Sequence, residues 1–288
     1  MKGCTGLLKE RIKNGDMLLV GCIMDCRSGS AVEMYHEFGY DVVMIDREHT
    51  ALNSETILEH IRLCRALEIP SMLRVADDAY HEFNRFLDQA PDAIMVPRIR
   101  TRADAELVVN TVRYPPLGRR GLGGSTCPTG KYLGWPKLND QISYVNEQLV
   151  VGIQIETLEA LENVEDILSV PGIDVAVVGN DDLSLGMGIP GQLDNPKFLQ
   201  AVEKVIAACH KHGVMPGIAG GEPTYVRYWH DRGMRMFWCA ADVVSMWSAT
   251  QKAMVGIQEG LKATTAPLSP YPEGAMTPAG TEARRVRY

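Results

Sequence analysis

Eight short apolar runs, each followed by an amphipathic segment, set the terms on which this chain can fold. The runs are 17–24, 41–46, 71–75, 92–97, 149–155, 174–178, 214–218 and 235–238. Most are rich in β-branched residues or Met, as suits strands covered on both faces. The segments between them, 29–38, 54–67, 79–89, 101–113, 157–168, 197–212, 222–231 and 240–261, read as helices. Asn53-Ser54 followed by Glu55 makes a cap for one of them, and Gly213 stops another. Eight strand–helix units in succession predict an α/β fold, a (β/α)8 TIM barrel rather than an open sheet. Residues 1–262 are expected to form that single barrel domain, and 263–288 an extended C-terminal tail. The Gly/Pro-rich stretch 114–148 reads as a long connection of the functional or mobile kind.

Composition removes several classes of function. With 29 Lys and Arg against 36 Asp and Glu, the net charge is −7. There is no clustered basic stretch, which argues against a nucleic-acid partner. No apolar run reaches 18 residues, so no transmembrane helix is expected. The opening MKGCTGLLKERIKNGD has no apolar core before its charges and does not read as a secretory signal. Seven scattered cysteines with no C-x-x-C pair read as reduced thiols, and hence as a cytoplasmic protein.

In such a barrel, chemistry gathers at the C-terminal ends of the strands. The second run ends in Asp46-Arg47-Glu48-His49 and the third delivers Arg74. The fifth ends Gln154-Ile155-Glu156, and the sixth leads into Gly179-Asn180-Asp181-Asp182-Leu183-Ser184. Each of these charged residues has a plain structural explanation: Asp182 as a helix cap, Glu156 as a first-turn acid, Arg74 as a surface charge. Their convergence on one rim is harder to explain that way. Paired carboxylates with no Cys or His pair nearby are hard oxygen ligands that suit Mg²⁺ or Mn²⁺. The turn through Asp181 and Asp182 into a helix offers backbone N–H groups to a carboxylate. Arg74 supplies a fork for a second anionic oxygen. Together these describe a site for a 2-keto acid. Six other histidines (36, 60, 81, 210, 212 and 230) fall in helical segments and are expected on solvated faces.

These motifs resemble the HpcH/HpaI aldolase family of metal-dependent pyruvate aldolases. The family's Ile-Asp-Gly-Glu-His stands here as Ile45-Asp46-Arg47-Glu48-His49, and its Gln-Ile-Glu-Thr as Gln154-Ile155-Glu156-Thr157. Its Gly-Pro-x-Asp-Leu-Ser appears as Gly179-Asn180-Asp181-Asp182-Leu183-Ser184, and its Arg-Tyr-Pro-Pro-x-Gly-x-Arg-Gly is intact over 113–121. The resemblance implies a barrel of the phosphoenolpyruvate/pyruvate-binding type. It implies Glu156 and Asp182 as ligands of Mg²⁺ (or Mn²⁺ or Co²⁺), and Gln154 and Arg74 on the pyruvate unit. His49 would move protons, Asp46 would orient it or a water on the metal, and Asp88 would serve the His49 of a neighbouring subunit. A carbon–carbon lyase follows, acting on 2-keto acids such as pyruvate or oxaloacetate through a metal-bound pyruvate enolate, with decarboxylation of oxaloacetate. A homo-oligomer, by resemblance a hexamer, follows too, with 240–261 packing on a neighbour.

Departures from the pattern concern the second substrate. Ile23 stands where the family usually has Trp, Arg47 replaces Gly, Asn180 replaces Pro, and Arg98 adds charge near the mouth. They resemble the macrophomate-synthase branch, which couples oxaloacetate decarboxylation to addition onto a 2-pyrone. Two other readings remain open here: a citrate-lyase-like acyl-CoA lyase, and an inactive barrel kept as a binding protein.

Overall fold

A computed structural model describes residues 4–76, 80–123 and 127–262 of the chain. Eight parallel strands close into a barrel: β1 (Leu18–Ile23), β2 (Val42–Asp46), β3 (Ser71–Arg74), β4 (Ala93–Val96), β5 (Val150–Ile155), β6 (Val175–Val178), β7 (Met215–Ala219) and β8 (Met236–Ala241). They pair in sequence order, and β8 returns to β1 with a register shift between Val20 and Gly21. Helices α2 (Ser30–Glu37), α3 (Ser54–Ala66), α4 (Tyr80–Leu87), α5 (Arg102–Val112), α10 (Pro196–His212) and α11 (Pro223–His230) follow the expected segments. Asn53 does cap α3, accepting from the Thr56 amide at 2.9 Å. Gly213 ends α10 at φ 69°, a left-handed conformation that glycine adopts without a steric penalty.

The structure departs from expectation in three places. Segment 157–168 is two short helices, α7 (Leu158–Glu162) and α8 (Val164–Leu168), broken at Asn163. Helix α1 (Cys4–Asn14) precedes the first strand and sends Leu8 and Ile12 into the barrel's inner core. The 114–148 stretch contains a 3₁₀ turn (Pro128–Leu133) and a helix, α6 (Leu138–Gln148), which its Gly/Pro-rich first half conceals. A further short helix, α9 (Asn180–Gly186), follows β6 directly.

Strand alternation sorts the side chains into two cores. Inward positions such as Leu18, Val20, Val42, Met44, Met72, Met95, Val150, Val177 and Met236 form one cluster. Outward neighbours such as Val43, Ile45, Leu73, Ile94, Ile153 and Phe237 pack in the cluster that includes the helices. Small residues let the interior fit, because a Cβ on Gly152 would lie 2.4 Å from Met95 Cε. Asp242, just beyond β8, accepts from the amides of Met24, Asp25 and Cys26 at 2.7–3.0 Å and so clasps the loop leaving β1.

The chain divides into two compact units, one ending at Ser245 and one starting at Met246. Helix α12 (Asp242–Lys262) begins in the first, and its remainder is the described part of the second. That remainder exposes Met246, Trp247, Met254, Val255, Ile257 and Leu261. The expected tail, 263–288, lies outside the described residues. Among those described, no helix is long and apolar enough to cross a membrane.

Phe237 is fully buried between strand and helix layers. Phe237→Ala should therefore lower the unfolding free energy by about 3–5 kcal/mol. Denaturant titration checks this as a fall in midpoint with little change in slope.

Candidate active site

The alternation that buries Val42 and Met44 brings Asp46 to the inner face at the last residue of β2. The same step from Met72 brings Arg74 inward at the end of β3, and Asp46 and Arg74 are register partners. Arg74 donates through Nε to Asp46 Oδ1 at 2.7 Å and through Nη2 to Oδ2 at 2.8 Å, a bidentate pair. Asp46 is wholly buried, and its Oδ1 also accepts the Glu48 amide at 2.9 Å. Nη1 of Arg74 faces Glu48 Oε2 at 3.2 Å and Gln154 Oε1 at 3.4 Å. Burial works against the Arg74 charge, but the Asp46 bonds and charge, with Glu48 beyond, hold its pKa above the ordinary value.

Gln154 reaches inward from β5 and donates to Glu156 Oε2 at 2.6 Å. The other oxygen of Glu156 accepts the Arg98 amide at 2.6 Å, from a residue held at φ 59°. Glu156 precedes α7, which Thr157 caps, so it is not a first-turn acid. Gly179 leaves room for it: a Cβ there would lie 2.6 Å from both Cβ and Oε2 of Glu156. Gly179 is also the cap of α9, whose first turn holds Asp181 and Asp182, both exposed. Asp182 is thus not the cap.

Burial pushes the Glu156 carboxyl above its ordinary range, and the charges of Glu48 and Asp182 push the same way. Glu48 is raised as well, chiefly by burial, with Asp46 and Asp182 adding to the effect against Arg74 and His49. Among the described residues, its Oε2 is buried without a hydrogen bond. Three carboxylates thus crowd one mouth with mutual repulsion, the condition that a bound cation relieves. Among the described residues, no cluster of three His, Cys, Asp or Glu forms a metal cage. Two carboxylate ligands with the remaining positions left to water and substrate fit a hard divalent ion.

The structure turns Asp46 toward Arg74 rather than His49. His49 is 57% exposed and faces Glu48 Oε2 at 3.6 Å. Asp88 follows α4, and its Oδ1 accepts from Arg120 Nη2 at 3.2 Å in its own chain. Arg47 bonds Glu82 of α4 through Nε at 2.6 Å and Nη2 at 3.1 Å, and its guanidinium lies 5.1 Å from the Phe86 ring centroid. Asn180 donates to the Ala219 carbonyl at 2.7 Å, tying α9 to β7. His60 is not on a solvated face: it is buried, within 3.0 Å of the Cys26 carbonyl oxygen, and burial lowers its pKa. The sequence reading gave no separate role to Glu48 or Trp238, whose ring lies 5.6 Å from Arg74 Cζ. Counting by twos from Met236 would have found Trp238 on the inner face.

Residues 21–222 match the family described as HpcH/HpaI aldolase/citrate lyase. A hydroxypyruvate/pyruvate aldolase of Paraburkholderia phytofirmans is 30% identical over 260 residues, covering 88% of this chain and 98% of the relative. The crystal structure of an HpcH/HpaI aldolase from Desulfitobacterium hafniense superposes with a TM-score of 0.83 at 26% identity, covering 88% of this chain and 96% of the other. Macrophomate synthase shares the fold, with a TM-score of 0.80 at 21% identity over 90% of this chain and 91% of its own.

Removing Asp46 leaves the Arg74 charge buried without its bidentate partner. Asp46→Ala should cost about 3–5 kcal/mol of stability, the usual penalty for orphaning one member of a buried pair. Thermal unfolding should show this as a drop of several degrees, and an unchanged melting temperature would contradict the pairing.

Proposed function

We propose that this chain, which belongs to the HpcH/HpaI aldolase/citrate lyase family, is a lyase that uses a divalent metal to make and consume the enolate of pyruvate from 2-keto acids. The observation that carries this reading is the convergence of Arg74, Gln154 and Glu156, set within the mutual repulsion of Glu48, Glu156 and Asp182. Glu156 and Asp182 would hold the metal, with Mg²⁺ the first choice and Mn²⁺ or Co²⁺ alternatives. When bound there, the cation supplies positive charge to the keto and carboxylate oxygens of the substrate.

The chain's own groups divide the remaining work. Arg74 commits Nε and Nη2 to Asp46, which leaves Nη1 as the donor for the oxygen that becomes negative in the enolate. Gln154, held between Arg74 and Glu156, fixes the carboxylate end of the 2-keto acid. Backbone amides in the turn through Asp181 and Asp182 share that carboxylate. His49, exposed at the mouth beside Glu48, takes the proton of a 4-hydroxyl. The C3–C4 bond then breaks, the aldehyde leaves, and the electron pair passes into the enolate. In oxaloacetate the same bond breaks with loss of CO₂, and no base is required.

Asp88 is proposed to complete the His49 site of a neighbouring subunit in a homo-oligomer, a hexamer by family resemblance. The exposed apolar residues of α12 support assembly with a second copy. The shared fold and the positions of Arg47 and Asn180 keep a macrophomate-synthase-like coupling of decarboxylation to addition as a second reading.

Chelation with EDTA should abolish turnover, and Mg²⁺, Mn²⁺ or Co²⁺ should restore it; full activity after exhaustive chelation would remove the metal from the reading. His49→Ala should cut aldol cleavage by about 10²–10⁴-fold, as for loss of a general base, yet leave oxaloacetate decarboxylation within about tenfold. Arg74→Ala should depress both reactions, since both form the same enolate. Equal loss of the two reactions in His49→Ala would assign His49 to positioning instead. Sedimentation at assay concentration should find an oligomer, and a fully active monomer would contradict the role given to Asp88.

A further inference from the structure

The β8 side of the mouth carries a residue that the proposed reaction does not use. Trp238 stands two residues after the inward Met236, and its ring packs against the inner core. In register it lies beside Val20 of β1 and Ala219 of β7. Its ring centroid is 5.6 Å from Arg74 Cζ, so the guanidinium meets the π face. Its Nε1–H is buried and meets no acceptor among the described residues. Neighbouring mouth positions are small: Ala219, its register partner on β7, and Gly179, just beyond the end of β6. A large rigid ring therefore stands among small neighbours, against the guanidinium whose Nη1 the proposed reaction uses.

We propose that Trp238 is a specificity-determining residue, its ring limiting the length of carbon chain that a 2-keto acid can place beside Arg74. The inference rests on the reading of Arg74 as the group that meets the substrate oxygen. A ligand atom close to the Arg74 guanidinium is also close to the indole held against it. The indole cannot shorten or fold away as Met or Lys does, so a longer substituent meets a fixed wall. Replacing the ring by a small side chain opens that space without touching Asp46, Gln154 or Glu156.

The test compares wild type, Trp238→Phe and Trp238→Ala as full-length protein with added Mg²⁺. Donors of increasing length, namely pyruvate, 2-oxobutanoate and 2-oxopentanoate, are followed in aldol addition to glycolaldehyde and in binding by calorimetry. One methylene in a tight pocket changes kcat/KM by roughly 10–200-fold. The preference for pyruvate over 2-oxopentanoate should therefore fall by at least about tenfold in Trp238→Ala, with Trp238→Phe in between. Damaged folding lowers all donors alike, so the ratio is the readout; melting temperatures are recorded beside it, and Trp238→Leu stands in if the alanine variant does not fold. An unchanged ratio in the folded variants overturns the proposal. Should wild type bind the acids with a length preference that Trp238→Ala flattens, yet turn none over, the lyase reading falls and the role of Trp238 stands. Should wild type bind none of them, both fall.

Discussion

Closing eight parallel strands on themselves forces every second residue of each strand into one shared interior. That space is filled near its base by Leu18, Val42, Ala93, Val150 and Val175, with Leu8 and Ile12 of α1 packed among them. The side chains that end the inward rows are no longer surrounded by apolar neighbours on all sides. Asp46, Arg74 and Gln154 are three such residues, and the ring of Trp238 on β8 lies against Arg74. The hydrophobic core and the polar site are thus consecutive layers of one pattern, and the site inherits the rigidity of the layer beneath it.

Charge at that upper layer is held in a particular balance. Asp46 and Arg74 satisfy one another through two hydrogen bonds, and the Glu48 amide closes the remaining capacity of Oδ1. A buried pair of this kind contributes little net stability, but it fixes the direction in which the guanidinium points. Arg74 is left with one end facing Glu48 and Gln154. Glu156 is anchored on both oxygens, by Gln154 and by the Arg98 amide, yet remains under pressure from Glu48 and Asp182. Glu156 follows β5 directly, Glu48 lies in the turn after β2, and Asp182 stands in the first turn of α9.

Two of the residues that depart from the family pattern, Arg47 and Asn180, do structural work outside this balance. Arg47 ties the turn after β2 to Glu82 and Phe86 of α4. Because Glu48 and His49 follow in that turn, the bond to α4 steadies the segment that carries them. Asn180 ties the start of α9 to β7 and so supports the turn that presents Asp182. The Arg74–Gln154–Glu156 chain stays connected beside both.

The barrel was legible in the sequence because periodicity is local: a run of about five apolar residues followed by an amphipathic stretch, eight times over, leaves few alternatives. The strand-end positions of Asp46, Arg74, Gln154 and Glu156 followed from the same pattern. Which partners these residues choose did not follow, since hydrogen bonds among β2, β3 and β5 join residues as many as 80 positions apart. Sequence order places Asp46 three residues from His49, whereas the register of β2 on β3 gives it to Arg74. Likewise Asp88 is joined to Arg120, and His60 is buried under the loop that Asp242 clasps. Trp238 looks like one more apolar strand residue until barrel closure brings β8 beside β1 and its ring against Arg74. Local spacing decides which residues face inward; only closure of the barrel decides which of them meet.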